Sequence, residues 1–279
     1  MFATEHETTI DDRQFRRLCD LVYDHCGINL RDGKQELVKA RVARQLRGKG
    51  LGSAAAYLDE VMADPKGEGF ASLIDALSTN LTSFFRESAH FTYLAQVLLP
   101  RVTERQRRHR SNRIRGWSAA CSTGEEPYTL AMTLIQALAG TGAWDARILA
   151  TDISRNVLRT AVAGRYGADR VRSVPEPLRS RHFAPVPGGD RLQVSAEVRA
   201  MVTFNYLNLI GPWPFGGPFD FIFCRNVMIY FDAPTQERLV GRFWDCLESG
   251  GVLFTGHSES LTGIAHKFKY VQPSIYVKP

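Results

Sequence analysis

The stretch RGWSAACSTGEEPYTLAMTL, residues 115–134, decides the fold. It begins as an apolar strand, passes through a turn of small residues that ends at Gly124, and continues as a helix whose first turn holds Glu125, Glu126 and Pro127. Proline fits the first turn of a helix, because the N–H that it lacks would have no partner there. A tight turn between a parallel strand and a helix lets a ligand approach the backbone closely. The stretch therefore predicts the first strand, turn and helix of a nucleotide-binding α/β fold.

The acidic residues at the start of this helix predict the charge of its ligand. The turn lacks the full GxGxxG pattern, and carboxylates at a helix start repel phosphate. A helix that is merely capped by acidic residues is the alternative interpretation. If a ligand binds, a cationic one fits best, and S-adenosylmethionine (SAM) carries both a sulfonium and an ammonium group.

The rest of the chain extends this pattern into an α/β fold. Short apolar runs alternate with helical patterns after about residue 111, which predicts βαβ units and a parallel sheet. We predict a doubly wound, Rossmann-like sheet over 111–279, with a small antiparallel β-subdomain inserted at about 170–204. Apolar residues at helical spacing predict an all-helical N-terminal domain over 1–85, followed by a linker helix over 86–110.

The composition excludes several other classes of protein. The chain has 279 residues, 44% of them hydrophobic and 23% charged, which is enough to bury a core without disulfides. The five cysteines form no CxxC pair and the histidines no HExxH, so we predict no disulfide framework and no metal site. No serine lies in GxSxG, the motif of many hydrolases. No apolar run is long enough for membrane insertion, and we expect a cytoplasmic protein.

Polar residues follow several predicted strands at the edge where open α/β sheets bind ligands. Asp152 ends the strand ARILATD, where an acid accepts the two ribose hydroxyls of a nucleotide or simply caps the next helix. Asn208 precedes a loop rich in glycine and proline, where its amide suits the edge of an adenine. Cys224 and Arg225 end the strand FDFIFC, and Tyr230 follows one turn later. A surface arginine is the alternative for Arg225, although its apolar neighbours argue against full exposure.

A basic row lies on the helix predicted within residues 31–50. Arg41, Arg44 and Arg47 repeat at helical spacing on the side opposite an apolar stripe. The row suits docking of an acidic helix, and a solvated helix face is equally consistent with it. The formal net charge of +6 does not choose between nucleic acid, a membrane surface and an acidic protein as the partner.

Six segments resemble, in the same order, those of the chemotaxis receptor methyltransferases of the CheR type. They are TNLTSFFRE (79–87), WSAACSTGEEPYTLA (117–131), ATDIS (150–154), LNL (207–209), FDFIFCRNVMIYF (219–231) and GVLFTGHSE (251–259). The resemblance implies a helical N-terminal domain and a SAM-binding domain with a β-subdomain. It implies SAM as the methyl donor, S-adenosylhomocysteine as the product, and methyl esterification of glutamates on the cytoplasmic helical bundles of chemoreceptors.

The resemblance also implies the site residues. Contacts to SAM fall on Asn80, Thr82, Arg86, Glu126, Asp152, Asn208, Leu209, Cys224 and Arg225, and the reacting carboxylate lies among Arg86, Arg225 and Tyr230. We expect one arginine to orient that carboxylate through a single oxygen and Tyr230 to assist by a hydrogen bond. Some relatives hold a receptor C-terminal peptide in a glycine-patterned loop of the β-subdomain. The corresponding APVPGGDRL, residues 184–192, is shorter and lacks the spacing, which argues against such a tether.

Two other functions compete with this interpretation. A SAM-dependent nucleic-acid methyltransferase needs aromatic stacking surfaces beside a basic groove, and the sequence offers none that we can place. A non-catalytic SAM-binding module would not need Arg86, Arg225 and Tyr230. We therefore expect a monomeric enzyme with a chemoreceptor as its partner and no nucleic-acid partner.

Overall fold

The computed structural model describes residues 10–30, 34–49 and 53–279, without the side chains of 47–49. The chain forms two compact units. The helical unit comprises Met1–Thr79 with Tyr230–Thr235, and the sheet unit comprises Asn80–Ile229 with Gln236–Pro279. No helix among the described residues is long and apolar enough to cross a membrane.

Four helices of the N-terminal segment build the helical unit. They are α1 (Asp12–Cys26), α2 (Gln35–Lys49), α3 (Ala54–Ala63) and α4 (Glu68–Leu77). Asp11 and Ser53 cap α1 and α3 by accepting hydrogen bonds from backbone N–H groups of the first turn. The apolar stripe of α2 is buried, as the helical spacing of Val38, Val42 and Leu46 predicts.

The boundary between the units lies earlier than the sequence pattern predicts. The division falls at 79/80 rather than 85/86, and the predicted linker helix belongs to the sheet unit. This region contains α5 (Ala89–Tyr93), a π-helical stretch (Leu94–Leu98) and α6 (Leu99–Arg108), instead of one helix. The reason is burial, because Phe84, Phe91 and Leu98 join the hydrophobic core of the sheet unit.

A seven-stranded sheet in the order β6-β2-β1-β7-β8-β10-β9 organises the sheet unit. Its strands are β1 (Arg113–Ala119), β2 (Asp145–Asp152), β6 (Val202–Tyr206), β7 (Phe219–Cys224), β8 (Leu247–Thr255), β9 (Lys269–Gln272) and β10 (Ile275–Val277). The first five strands in this order are parallel, and β10 and β9 continue the sheet in antiparallel fashion. The main helices that connect or flank the strands are α7 (Glu125–Leu138), α8 (Arg155–Ala163), α11 (Ala196–Ala200) and α12 (Ala233–Cys246). The doubly wound fold predicted from the sequence is therefore confirmed.

A separate three-stranded sheet confirms the small antiparallel subdomain, with different limits. Its strands are β3 (Arg165–Gly167), β4 (Phe183–Pro185) and β5 (Arg191–Val194), in the order β3-β5-β4, with α9 (Ala168–Val171) and α10 (Glu176–His182) between β3 and β4. These limits differ from the predicted insertion at about 170–204, since β3 starts before it and Val202–Tyr206 pairs with β2 in the main sheet. An alternating pattern identifies a strand but not the sheet that it joins.

Candidate active site

The parallel strands bring their carboxyl ends to one level. The register pairs Ala119 of β1 with Thr151 of β2 on one side and with Cys224 of β7 on the other. The chain leaves β1 toward β2 and β6 and later returns to β7 and β8, so the strand order reverses between β1 and β7. Ligands of open α/β sheets bind at such a reversal, outside the carboxyl ends of the strands.

The turn after β1 has the tight course predicted for it. Ala120, Ser122 and Gly124 all have positive φ angles, of 64°, 50° and 96°. A Cβ on Gly124 would meet both the Ala161 Cβ and the Tyr166 hydroxyl at 2.9 Å, so only glycine fits this position. Non-glycine residues with positive φ are concentrated in sites where the surrounding structure holds them.

Asp152 connects this turn to the next helix. One carboxylate oxygen accepts the N–H of Ser122 at 2.8 Å, and the other accepts the N–H of Ser154 at 2.8 Å. The sequence left a ribose contact and a helix cap as alternatives. The backbone contacts of a cap are present, and the ribose contact stays a prediction.

The carboxylates of Glu125 and Glu126 have different partners. Glu125 is fully buried and pairs with Arg170, which follows β3. Glu126 accepts a hydrogen bond from the Ser118 hydroxyl at 2.7 Å at the end of β1 and one from Arg225 at 2.9 Å. The geometry therefore favours Glu126 as the acid that faces the strand ends.

Arg225 is the centre of a buried ionic network. Its side chain is 3% exposed, its Nη1 donates to Glu126 at 2.9 Å, and its Nε donates to Glu87 at 3.2 Å. Its Nη2 donates to the carbonyl oxygen of Arg86 at 2.5 Å. In these contacts Arg225 binds groups of the protein itself, whereas the sequence analysis expects it to bind the carboxylate of the substrate. The sequence could not show this, because Glu87 is distant from Arg225 in the chain.

Burial and the Arg225 charge act in opposite directions on the two carboxyl groups. Burial raises the pKa of Glu126, and it outweighs the lowering by Arg225 and Ser118. Burial also opposes ionisation of Glu87, but Arg225 and the backbone N–H of His257 together lower the pKa of Glu87. With both carboxyls ionised, one negative charge remains in this network, which favours a cationic ligand.

The segment that precedes α5 lies across the start of α7. The carbonyl oxygen of Asn80 accepts the Ser122 hydroxyl at 2.9 Å, and the N–H of Phe85 donates to Thr129 at 3.2 Å. Of the predicted residues in this segment, Asn80 therefore contacts the turn after β1 directly. The half-buried Arg86 donates through Nη1 to the carbonyl oxygen of Leu81 at 2.8 Å.

An arginine that the sequence analysis did not select as a site residue donates hydrogen bonds to the loop after β6. Arg242 of α12 donates to the carbonyl oxygens of Leu209 at 2.7 Å and Gly211 at 2.8 Å. Its guanidinium lies 3.7 Å from the centre of the Trp213 ring, and the Trp213 indole N–H donates to Leu209 at 3.2 Å. The side chain of Asn208 accepts the N–H of Ile210 at 3.0 Å. The predicted adenine loop therefore has a fixed course.

The thiol of Cys224 differs from the other candidates. It is fully buried, and burial raises the pKa of the thiol well above its usual value. The thiol therefore stays protonated, and the contact of Cys224 with the cofactor stays a prediction.

Tyr230 and the basic row belong to the helical unit. The carbonyl oxygen of Tyr230 accepts the N–H of Asn29 at 2.9 Å. Arg41 donates to the carbonyl oxygens of Ala76 at 2.7 Å and Ser78 at 2.6 Å, so its guanidinium caps the end of α4. Arg44 is exposed, and the side chain of Arg47 lies outside the described part of the chain.

Three potential metal ligands meet beside the network, which sequence spacing did not reveal. Glu87, His90 and His257 each place one ligand atom within 4.8 Å of the others. Burial lowers the pKa of His90 to about 4. Neither ring nitrogen makes a hydrogen bond among the described residues, although Nδ1 lies 3.5 Å from a carboxylate oxygen of Glu87. Glu87, however, already pairs with Arg225 at 3.0 Å, and the side chain of His257 is 58% exposed. We assign no metal to this cluster.

The doubly wound sheet, the tight turn after β1 and the acid at the end of β2 define the class of nucleotide-binding α/β proteins. Two family models match the chain: "CheR methyltransferase, SAM binding domain" over residues 80–277 and "CheR methyltransferase, all-alpha domain" over residues 13–78.

Full-length relatives show the same similarity. The chain is 40% identical over 260 residues to the "Probable chemotaxis protein methyltransferase" of Rhizobium etli, covering 92% of this chain and 96% of the relative. It is 41% identical over 270 residues to the "Chemotaxis protein methyltransferase" of Klebsiella aerogenes, covering 96% and 90%. It is 41% identical over 276 residues to the "Chemotaxis protein methyltransferase 2" of Pseudomonas aeruginosa, covering 97% and 94%. The chain belongs to the CheR methyltransferase family, and it is a SAM-dependent methyltransferase.

Proposed function

We propose that the protein transfers the methyl group of SAM to glutamate side chains of chemoreceptor cytoplasmic domains and forms glutamate methyl esters. The observation that supports a carboxylate acceptor is the Arg225 network, in which Glu87 and Glu126 are both paired with one guanidinium. Neither carboxylate is arranged as a general base. A glutamate acceptor has an ordinary pKa of about 4.3, so it is ionised at neutral pH and needs no base.

Alignment is then the main task of the enzyme. The attacking oxygen, the methyl carbon and the sulfonium sulfur must lie in line, and such positioning supplies roughly 7–11 kcal/mol. Carboxylate and sulfonium neutralise each other during transfer, so a cleft with little water favours the transition state.

Arg86 is the better candidate for orienting the acceptor. Arg225 is occupied by Glu87, Glu126 and the Arg86 carbonyl, whereas Arg86 uses only Nη1 among the described residues. A hydrogen bond from Arg86 to one oxygen of the acceptor draws less charge from the attacking oxygen than a bidentate contact with both oxygens. The assisting role of Tyr230 stays part of this proposal.

The proposed partner is an acidic helical bundle in the cytoplasm, and the proposed active form is the monomer. Arg44, with Arg47 one turn further along α2, supplies the docking charge. Arg41 contributes less, because its guanidinium already binds the end of α4.

Methylation of purified receptor fragments tests the proposal. The protein is incubated with SAM labelled in its methyl group and with receptor cytoplasmic fragments, and we expect label that base releases as methanol. A matched fragment with glutamines at the methylated positions should accept no label. Base-stable label, or label incorporated equally into nucleic acid, would contradict the proposed substrate.

A further inference from the structure

A single buried glutamate holds the turn that follows β7. Glu259 is 5% exposed, and its carboxylate accepts five backbone N–H groups. One oxygen accepts Asn226 and Gly256, both at 2.6 Å. The other accepts Val227 and Met228, both at 2.7 Å, and Ile229 at 3.3 Å.

Backbone dipoles alone compensate this charge. No lysine, arginine or histidine pairs with Glu259 in the described ranges 10–30, 34–49 and 53–279. Successive backbone N–H groups that converge on one point form an anion-binding concavity, and hydrogen bonds to a charged acceptor are about twice as strong as neutral ones. Here the anion is part of the protein, so the carboxylate fixes the course of the chain around it.

The packing leaves the turn one arrangement. A Cβ on Gly256 would lie 2.6 Å from the Asn226 amide nitrogen and 2.7 Å from the Glu259 carboxylate. Asn226 has a positive φ of 59°, a strained backbone that the surrounding contacts must hold. The Thr255 hydroxyl donates to the backbone oxygen of Glu259 at 2.8 Å and so fixes the other side of the turn.

The location of the turn suggests what it positions. The candidate cofactor contacts Glu126, Asp152 and Asn208 lie after β1, at the end of β2 and after β6, on one side of the point where the strand order reverses. Two further candidates, Cys224 and Arg225, lie at the end of β7 on the other side, directly before the turn. The turn begins directly after Arg225 and leads into the 3₁₀ helix Met228–Tyr230. A methyl acceptor must approach SAM from the side that the cofactor does not occupy.

We propose that Glu259 is a positioning residue for methyl transfer, which shapes the acceptor side of the site through the turn at 226–229. The proposal rests on the proposed function, since it assigns the β7 side to the acceptor. Glu259 acts on turnover and on the acceptor rather than on cofactor affinity.

Glu259→Gln tests this role in the full-length protein. The amide group presents N–H donors to N–H donors, so one of the two groups of backbone contacts is lost. We expect kcat with a receptor fragment to fall roughly 10- to 100-fold, because misplacement by about 1 Å can cost about 100-fold. SAM and S-adenosylhomocysteine affinity, measured by calorimetry, should stay within about twofold of wild type, which is below ~0.5 kcal/mol.

Thr255→Val is the matched control, because it weakens the same turn and leaves the carboxylate in place. We expect its kcat to stay near wild type. If Glu259→Gln does not fold, as shown by its circular dichroism spectrum, Glu259→Asp replaces it, since the shorter side chain cannot reach both groups of N–H donors.

The outcomes separate the two proposals. A wild-type protein that forms no ester with the fragment contradicts the proposed substrate. If wild type forms the ester and the Glu259 variant has the same kcat, the positioning role of Glu259 is contradicted. The role is also contradicted if the Glu259 variant and Thr255→Val both lose kcat and cofactor affinity to the same extent. Glu259 would then be purely structural.

Discussion

Arg225→Met removes the guanidinium that pairs with both Glu87 and Glu126, while keeping an apolar side chain of similar length. In wild type, Arg225 donates to Glu126 at 2.9 Å and to Glu87 at 3.2 Å, and its side chain is 3% exposed. Removing one partner of a buried ion pair costs about 3–5 kcal/mol, because the other charge stays buried without compensation. With an m-value of about 3 kcal/mol per molar urea, the urea concentration at the midpoint of unfolding should fall by roughly 1–2 M.

Tryptophan fluorescence during urea unfolding measures this loss in the right part of the protein. All four tryptophans (Trp117, Trp144, Trp213 and Trp244) lie in the sheet unit, so their fluorescence reports its unfolding. Arg108→Met is the matched control, because Arg108 is 75% exposed and pairs with Glu104 along one helix. We expect that control to change the free energy of unfolding by at most about 0.5 kcal/mol.

The effect of pH gives an independent check on the cause. The lowered pKa of Glu87 means that its ionised form stabilises wild type above the pKa of the unfolded chain, and that this stability is lost as pH falls through the folded pKa. The raised pKa of Glu126 has the opposite sign, so its contribution is full at acid pH and is lost as pH rises through its folded pKa. Without Arg225, both groups resist ionisation.

The difference in free energy of unfolding between wild type and Arg225→Met should therefore grow from about pH 4, near the carboxyl pKa of the unfolded chain, to neutral pH. If the free energy of unfolding falls by less than about 1 kcal/mol at neutral pH, or if the difference from wild type does not change with pH, the role given to this network is refuted.

Three further results are expected. Asp152→Ala should weaken SAM binding by roughly 1.5–3 kcal/mol in calorimetry, since hydrogen bonds to a charged group are lost; unchanged affinity would reduce the acid to a backbone cap. Arg242→Met should release the loop that carries Asn208 and weaken SAM binding, with kcat at saturating SAM near wild type; a kcat effect at unchanged affinity would contradict this assignment. Arg44→Glu with Arg47→Glu should slow receptor methylation most at low ionic strength, where charges act beyond ~10 Å, and leave SAM binding unchanged; equal rates at low salt would indicate a solvated helix face.

Local patterns predicted the parts of the site that lie close together in the chain. The turn that ends at Gly124 follows β1, and Asp152 is the last residue of β2; neighbouring parallel strands bring their carboxyl ends to the same edge of a sheet. Arg225 shows the limit of this reasoning. Its position at a strand end was predictable, but its partners Glu87 and Glu126 come from segments far away in sequence, and no spacing rule connects them.

The same limit explains the residues that the sequence did not identify. Glu259 lies in the segment GVLFTGHSE, yet nothing in that segment indicates that its carboxylate binds the turn after β7. Arg242 looks like any charged residue of an amphipathic helix until the loop with Trp213 packs against it. Arg41 follows the spacing of an exposed row, but α4 ends next to its guanidinium.

The sequence by itself determined the class of fold and the tight turn after β1, because these depend on the period of apolar residues and on local backbone chemistry. The candidate cofactor residues stay predictions, several of which the family resemblance alone implied. Only the tertiary structure decided which sheet Val202–Tyr206 joins, which groups Arg225 binds and what Glu259 holds. The physical reason is that strand pairing and buried charge compensation join residues that are distant in the chain, and their partners are chosen by packing and by the cost of leaving a buried polar group unpaired.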